Sequence, residues 1–177
     1  MIIEDGKGLY GAAGVSPDQR LLAECNVSPR VFYRSQDHEL AFSWTSSYAV
    51  QATEAGLYVK NTSVLYNLYI DVVRVSGPTA SLWTLRKVTG TGSGTTVTGT
   101  NLNFSSTIAA EATALGNAAV TGLTAGVIVT QVYSGVGIQA ELDFDGALIL
   151  GQNDAVALVA TTTQASACAL VVRGWYE

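Results

Sequence analysis

The sequence predicts an all-β chain: a jelly-roll-like β-sandwich of about eight strands behind an extended N-terminal arm. Three observations carry this. Turn signals rich in Gly, Asn, Ser and Asp punctuate residues 36–177. Between them apolar and polar residues alternate with the two-residue period of a strand. Only one stretch has helical character. No repeat of fixed period occurs, which argues against a propeller or β-helix. Eight strands joined by long crossing loops favour a jelly roll over an up-and-down barrel.

Residues 1–35 hold Gly6, Gly8, Gly11, Gly14, Pro17 and Pro29, too much punctuation for a helix or long strand. They are expected to form the arm, with a short strand around Gln19–Cys25. Tyr10, Leu21, Leu22, Val31, Phe32 and Tyr33 suit an arm that docks on a surface. Residues 36–177 form the sandwich domain. Its first strand, Leu40–Ser46, turns Leu40, Phe42 and Trp44 to one side. Gly56–Lys60 puts Leu57 and Val59 in and Tyr58 and Lys60 out. Asn61-Thr62-Ser63 is a turn. Val64–Val75 sends Leu68, Ile70 and Val72 one way, and Asn67, Tyr69, Asp71 and Val73 the other. Ala80–Val88 sets Trp83 and Leu85 against Thr84 and Arg86.

The Gly/Thr/Ser text 89–101 reads as a mobile loop with a short strand at Thr95–Thr98. Residues 106–116 are the helix candidate, with Ser106 at the N-cap and Gly116 just past the C-terminus. Val127–Ser134 and Ile138–Phe144 return to strand. Ala155–Thr162 and Ser166–Tyr176 read as a closing hairpin. In its last strand one face carries Cys168, Leu170, Val172 and Tyr176. The other carries Ala167, Ala169, Val171 and Trp175, with Arg173 as the only charge. Two apolar faces imply that something covers the outside of that strand.

Composition bounds the function. Charged residues are 13% of the chain and hydrophobic ones 48%, against about 25% charged in a typical soluble domain. A surface so poor in charge suits packing against other protein copies. The net charge of −5 and the scattered basic residues argue against nucleic acid. No apolar run reaches the ~20 residues of a membrane span. The start MIIEDGKGLYG has acids where a secretory signal has bases, so manufacture in a cytoplasm is expected, with Cys25 and Cys168 as free thiols. Cys168 reads as a small buried hydrophobe.

Chemistry is sparsely represented. His38, the sole histidine, reads as a solvated loop residue, and no nucleophile elbow or zinc spacing accompanies it. Gly90–Gly94 lacks the Lys-Ser/Thr pair and helix of a phosphate loop. Glu141, Asp143 and Asp145 share one strand face, which reads as a solvated acidic row, with a cation or a basic partner as the sharper alternative. No enzyme, cofactor or metal is called for. A sugar platform on Tyr58, Tyr69 and Trp175 is the competing use of the surface aromatics, which interfaces enrich equally.

Three stretches resemble small structural proteins of tailed bacteriophage heads: the arm IIEDGKGLYGAAGVSPDQRLL, the unit GLYVKNTSVLYNLYIDVVRV, and NLNFSSTIAAEATALG with the closing ILGQNDAVALVATTTQASACALVVRGWYE. The resemblance covers most of the chain. It implies a jelly-roll-like decoration, or cement, protein on the capsid exterior, a homo-oligomer, in particular a trimer, bound to the major capsid protein. An arm of this length, at ~3.3 Å per extended residue, spans between capsid subunits. The expected interface residues are Tyr10, Leu21, Leu22, Phe32, Tyr33, Tyr58, Tyr69, Ala167, Ala169, Val171 and Trp175. The alternative is a receptor- or carbohydrate-binding sandwich of a phage fibre or tail.

Overall fold

Alternating strand patterns that bury one face each need a second layer to close on, and the computed structural model supplies it. It describes residues 14–15, 21–22, 34–35 and 38–177, the first four by backbone alone. β1 (Gly14–Val15) pairs with β2 (Leu21–Leu22). The sandwich is built from β3 (Ala41–Tyr48), β4 (Ala55–Asn61), β5 (Leu68–Ser76), β6 (Ser81–Thr89), β7 (Ser93–Thr96), β8 (Thr100–Asn101), β9 (Ala112–Thr121), β10 (Thr124–Ser134), β11 (Ala140–Leu150), β12 (Ala155–Ala160) and β13 (Cys168–Tyr176).

One sheet runs β10-β6-β12-β4-β9-β7 and the other β11-β5-β13-β3-β8. The antiparallel pairings nest: β3 with β13, β4 with β12, β5 with β11, β6 with β10. A long hairpin rolled up on itself gives this order, which is the jelly roll expected from sequence. β7, β8 and β9 are an insertion between β6 and β10 that widens both sheets. Between the sheets lies the main core, with Phe42, Trp44, Leu57, Leu68, Ile70, Trp83, Leu85, Leu158 and Leu170 fully buried.

The closing hairpin is not formed. β12 lies in the six-stranded sheet and β13 in the five-stranded one, so residues 161–167 cross between layers. Each strand pairs with neighbours far back in the chain, which periodicity alone does not reveal. The predicted helix at 106–116 is also replaced: Ala112–Thr121 is β9, paired with β4 and β7. Ser106 caps a turn instead, its Oγ accepting the Ile108 N–H at 3.0 Å. The free side of β4 offers ladder hydrogen bonds that outweigh the modest helix preference of an Ala-rich run. In the Gly/Thr/Ser stretch the strand is Ser93–Thr96, not Thr95–Thr98.

β5 begins at Leu68, not Val64, and its faces switch midway. Arg173 sits opposite Val72 and Gly174 opposite Ile70, so Asp71 is an extra residue. This bulge sends Val73 and Val75 into the core and Val72 to the outer side, reversing the expected grouping. Gly174 is required there, because a Cβ would lie 2.3 Å from the Tyr69 carbonyl oxygen.

A second apolar cluster lies on the outer face of the six-stranded sheet: Ala55, Tyr58, Val88, Leu115, Val120, Ala155, Ala157 and Val159. β12 is buried on both faces throughout. The doubly covered strand is therefore β12 rather than the last strand.

Tyr176 reaches the core edge-on to Phe42, ring centroids 5.6 Å apart, and its hydroxyl has no hydrogen-bond partner among the described residues. Burial first, and the negative charge of Glu111 second, push its phenol well above the usual value. The folded state then holds the proton more tightly than the unfolded chain. Stability is full below the unfolded pKa of about 10 and falls above it, by about 1.4 kcal/mol per pH unit. Urea melts are expected to show this fall, and Tyr176→Phe to flatten it to the contributions of Tyr58 and Cys168, both also raised by burial. An equal slope in the variant contradicts the assignment.

Candidate interaction surfaces

The expected interface residues fall on three parts of the molecule. Tyr10, Phe32 and Tyr33 lie outside the described residues, as does Cys25. Leu21 and Leu22 form β2. Tyr69, Ala169, Val171 and Trp175 share the outer face of the five-stranded sheet, since β13 pairs Trp175 with Tyr69, Val171 with Arg74 and Ala169 with Ser76. Ala167 is exposed in the loop before β13.

Two of these residues are not surface groups. Tyr58 is 2% exposed and packs in the outer cluster. Trp175 is 1% exposed and stacks on Tyr69 with centroids 5.8 Å apart and planes 6° off parallel. Its other neighbour is the chain itself. β11 sets Asp143 opposite Val72 but Leu148 opposite Ile70, so three extra residues are held between those pairs. That excursion brings Gly146 so close that a Cβ would lie 2.5 Å from the indole. The covering expected over the last strand is thus supplied, at this end, within the protomer. Further along, Arg173 donates to Asp71 at 2.7 Å and Arg74 pairs with Glu141, a ladder of ion pairs beside exposed Ala169. A sugar platform of Tyr58, Tyr69 and Trp175 is not displayed.

The acidic row does not converge on one point. Glu141 is held by Arg74, and Asp143 accepts the Asp145 N–H at 3.0 Å in a local turn. Among the described residues no cluster of three or more His, Cys, Asp or Glu is arranged to hold a metal. His38 is exposed, and Cys168 is a free, buried thiol raised in pKa by that burial.

The exposed apolar groups are elsewhere. One set sits on two loops at the end where β3 begins and β13 finishes. Val64, Leu65 and Phe104 are 75%, 76% and 88% exposed, with Tyr66 and Ile108 beside them in sequence. Both loops are braced internally. Asn61 Nδ2 donates to the Tyr66 and Leu150 carbonyls at 3.0 and 2.9 Å, and its Oδ1 accepts the Ser63 N–H. Ser63 Oγ accepts the Leu65 and Tyr66 N–H groups. In the second loop Asn101 Nδ2 donates to Glu39 and Ile108 carbonyls, while Asn101 and Asn103 side chains accept the N–H groups two residues on. Thr62 ties the loops together, its N–H and Oγ both donating to the Glu111 carbonyl.

The other set lies along β10, which among the described residues is an edge strand paired only with β6. Val127, Ile128, Val129 and Tyr133 are exposed, as are Val136 and Ile138 in the following turn. Two single-residue bulges, between Ala125 and Ile128 and between Ile128 and Thr130, break alternation so that three consecutive apolar residues face out. Gly126 permits this, since a Cβ there would lie 2.4 Å from the Lys87 carbonyl oxygen.

No known protein family, curated protein or solved structure matches the chain.

Neither apolar set was among the residues expected from sequence. Val64–Tyr66 was absorbed into a strand, and Phe104 stood before a helix that does not form. One signal was available for β10. Residues 112–140 contain no charged side chain, so whatever edge they form is unguarded by charge.

Proposed function

We propose that this chain is a structural decoration protein of a phage head, docking on the major capsid protein at the exterior of the shell and holding its neighbours together. The observation that carries the reading is the rigid apolar end formed by Val64, Leu65 and Phe104. Large apolar side chains held out by loops that satisfy their own backbone groups lose little entropy on docking, and burying each contributes about 1.5–3 kcal/mol. Flexible loops would forfeit much of that gain. The jelly-roll body behind them is a rigid support whose contacts act through area, which is what a cement protein requires.

Shells of the parent virion, stripped of the protein, are expected to rebind it. The double variant Leu65→Asp/Phe104→Asp is expected to rebind at least ten-fold more weakly, a loss of about 1.4 kcal/mol or more. Equal rebinding by the variant, or absence of the chain from purified virions seen by electron microscopy, overturns the reading.

A further inference from the structure

We propose that the edge of β10 is the contact between two copies of this chain, the two β10 strands running antiparallel across a two-fold axis. Edge strands carry unpaired N–H and C=O groups, and natural proteins guard long ones with charge, proline or brevity. The four ends of these sheets differ in that respect. β7 is short, with three hydroxyl residues and a glycine, and β8 has two polar residues. β11 carries exposed Glu141, Asp143 and Asp145. β10 has eleven residues with neither charge nor proline.

The bulges protect only its first half. From Thr130 to Ser134 the strand keeps an unbroken register with Leu85 to Ser81, so its outer backbone groups are in regular order for a further strand. The sequence around that stretch is self-complementary in polarity. Val127, Ile128 and Val129 precede it, Val136 and Ile138 follow it, and Gln131 and Tyr133 flank its centre at Val132. Antiparallel pairing of two copies about that centre lays the apolar start of one strand along the apolar turn of the other. An isologous contact has this form, and two-fold dimers are its usual product.

Charge points to a second copy as the occupant. The chain is acidic overall at −5, so copies repel wherever acids meet. Of the charges nearest to it, Lys87 is paired with Asp154 at 2.7 Å and Glu141 with Arg74, and Arg86, opposite Ile128, is a cation that donates to Thr84 Oγ1. β10 is thus a surface on which two acidic molecules approach without bringing carboxylates together. The contact extends the six-stranded sheet into a continuous one of twice the width. It departs from the trimer implied by the phage resemblance, which needs heterologous contacts.

The inference rests on the structural reading above only in taking contacts between proteins as this chain's work. Shell rebinding through Leu65 and Phe104 can hold or fail independently, because the test uses the purified full chain alone. Light scattering across a dilution series is expected to give twice the 18.5 kDa protomer mass. Val129→Lys/Tyr133→Lys is expected to give the protomer mass with unchanged circular dichroism, while Ile149→Lys, exposed on β11, leaves the dimer intact. Amide exchange of residues 130–134 in the wild type is expected to slow as concentration rises, which needs no variant to fold. A wild-type protomer or trimer mass, a dimer that survives both lysines, or concentration-independent exchange overturns the proposal.

Discussion

Gly146→Val is expected to lower the unfolding free energy by about 2–5 kcal/mol, one of the largest effects available from a single surface-strand position. Two costs add. Gly146 has φ of 76°, in the left-handed region, where a side chain costs about 1–2 kcal/mol. Its Cβ would also lie 2.5 and 2.6 Å from two atoms of Trp175. The indole cannot retreat easily, because its other face lies on Tyr69, and overpacking of this kind costs about 1–3 kcal/mol. Gly137 separates the two terms. Its φ is 67°, but nothing lies within 4 Å of its Cβ position. Gly137→Val is therefore expected to cost only the conformational part. Paired urea melts check this, and equal losses at the two glycines would show that Trp175 is not the obstacle.

Asn61→Ala is expected to cost about 3–5 kcal/mol, although the side chain is polar and the position is the last of β4. The residue is fully buried. Its amide is the hydrogen-bond partner of the Tyr66 and Leu150 carbonyls and of the Ser63 N–H. Removing it strands three backbone groups, each costing about 1–3 kcal/mol when buried and unpaired, less whatever water recovers at Tyr66. Asn61→Asp keeps the acceptor for Ser63 but sets oxygen against oxygen at the two carbonyls, so it is expected to be no better tolerated. A loss below about 1 kcal/mol for Asn61→Ala would mean the loop re-pairs on its own. The same variant should weaken shell rebinding even where it remains folded, since Asn61 and Ser63 fix the loop that presents Leu65.

The all-β class and the jelly roll were legible because alternation and turn residues are local signals. Trp44 and Trp83 fell in the core for the same reason: Trp44 stands between Ser43 and Thr45, and Trp83 and Leu85 alternate with Thr84 and Arg86. What escaped was set by distant pairing. The Asp71 bulge is invisible in LYIDVVRV, yet it reverses the faces of everything after it. Ala112–Thr121 reads as a helix until β4 is placed beside it. Trp175 looked exposed because its cover comes from the excursion around Gly146 in β11, which lies on the far side of β5 from β13 in the sheet order. Tyr58 looked exposed because an outward position on an isolated strand is assumed to meet water, whereas here Leu115, its cross-strand partner on β9, and the rest of the outer cluster pack with it on that face. The interacting surfaces were missed because exposure of apolar side chains on bulges and braced loops depends on hydrogen bonds that no periodicity encodes.

The nested order of the strands has a consequence for how the molecule comes into being. β12 and β13, the last strands of the chain, lie inside their sheets, each flanked on both sides by strands made much earlier. A growing chain that has reached residue 150 therefore holds both sides of each sheet and lacks only the strand that joins them. Neither sheet is joined until its late strand has emerged, β12 in the six-stranded sheet and β13 in the five-stranded one, and the contacts that join them, such as Trp175 with Ala41, have long sequence separations. Topologies dominated by such contacts fold slowly. Until that moment the uncharged β10 edge and both halves of the core stand open together, so the interval before β12 and β13 insert is when this protein is most exposed to its own copies.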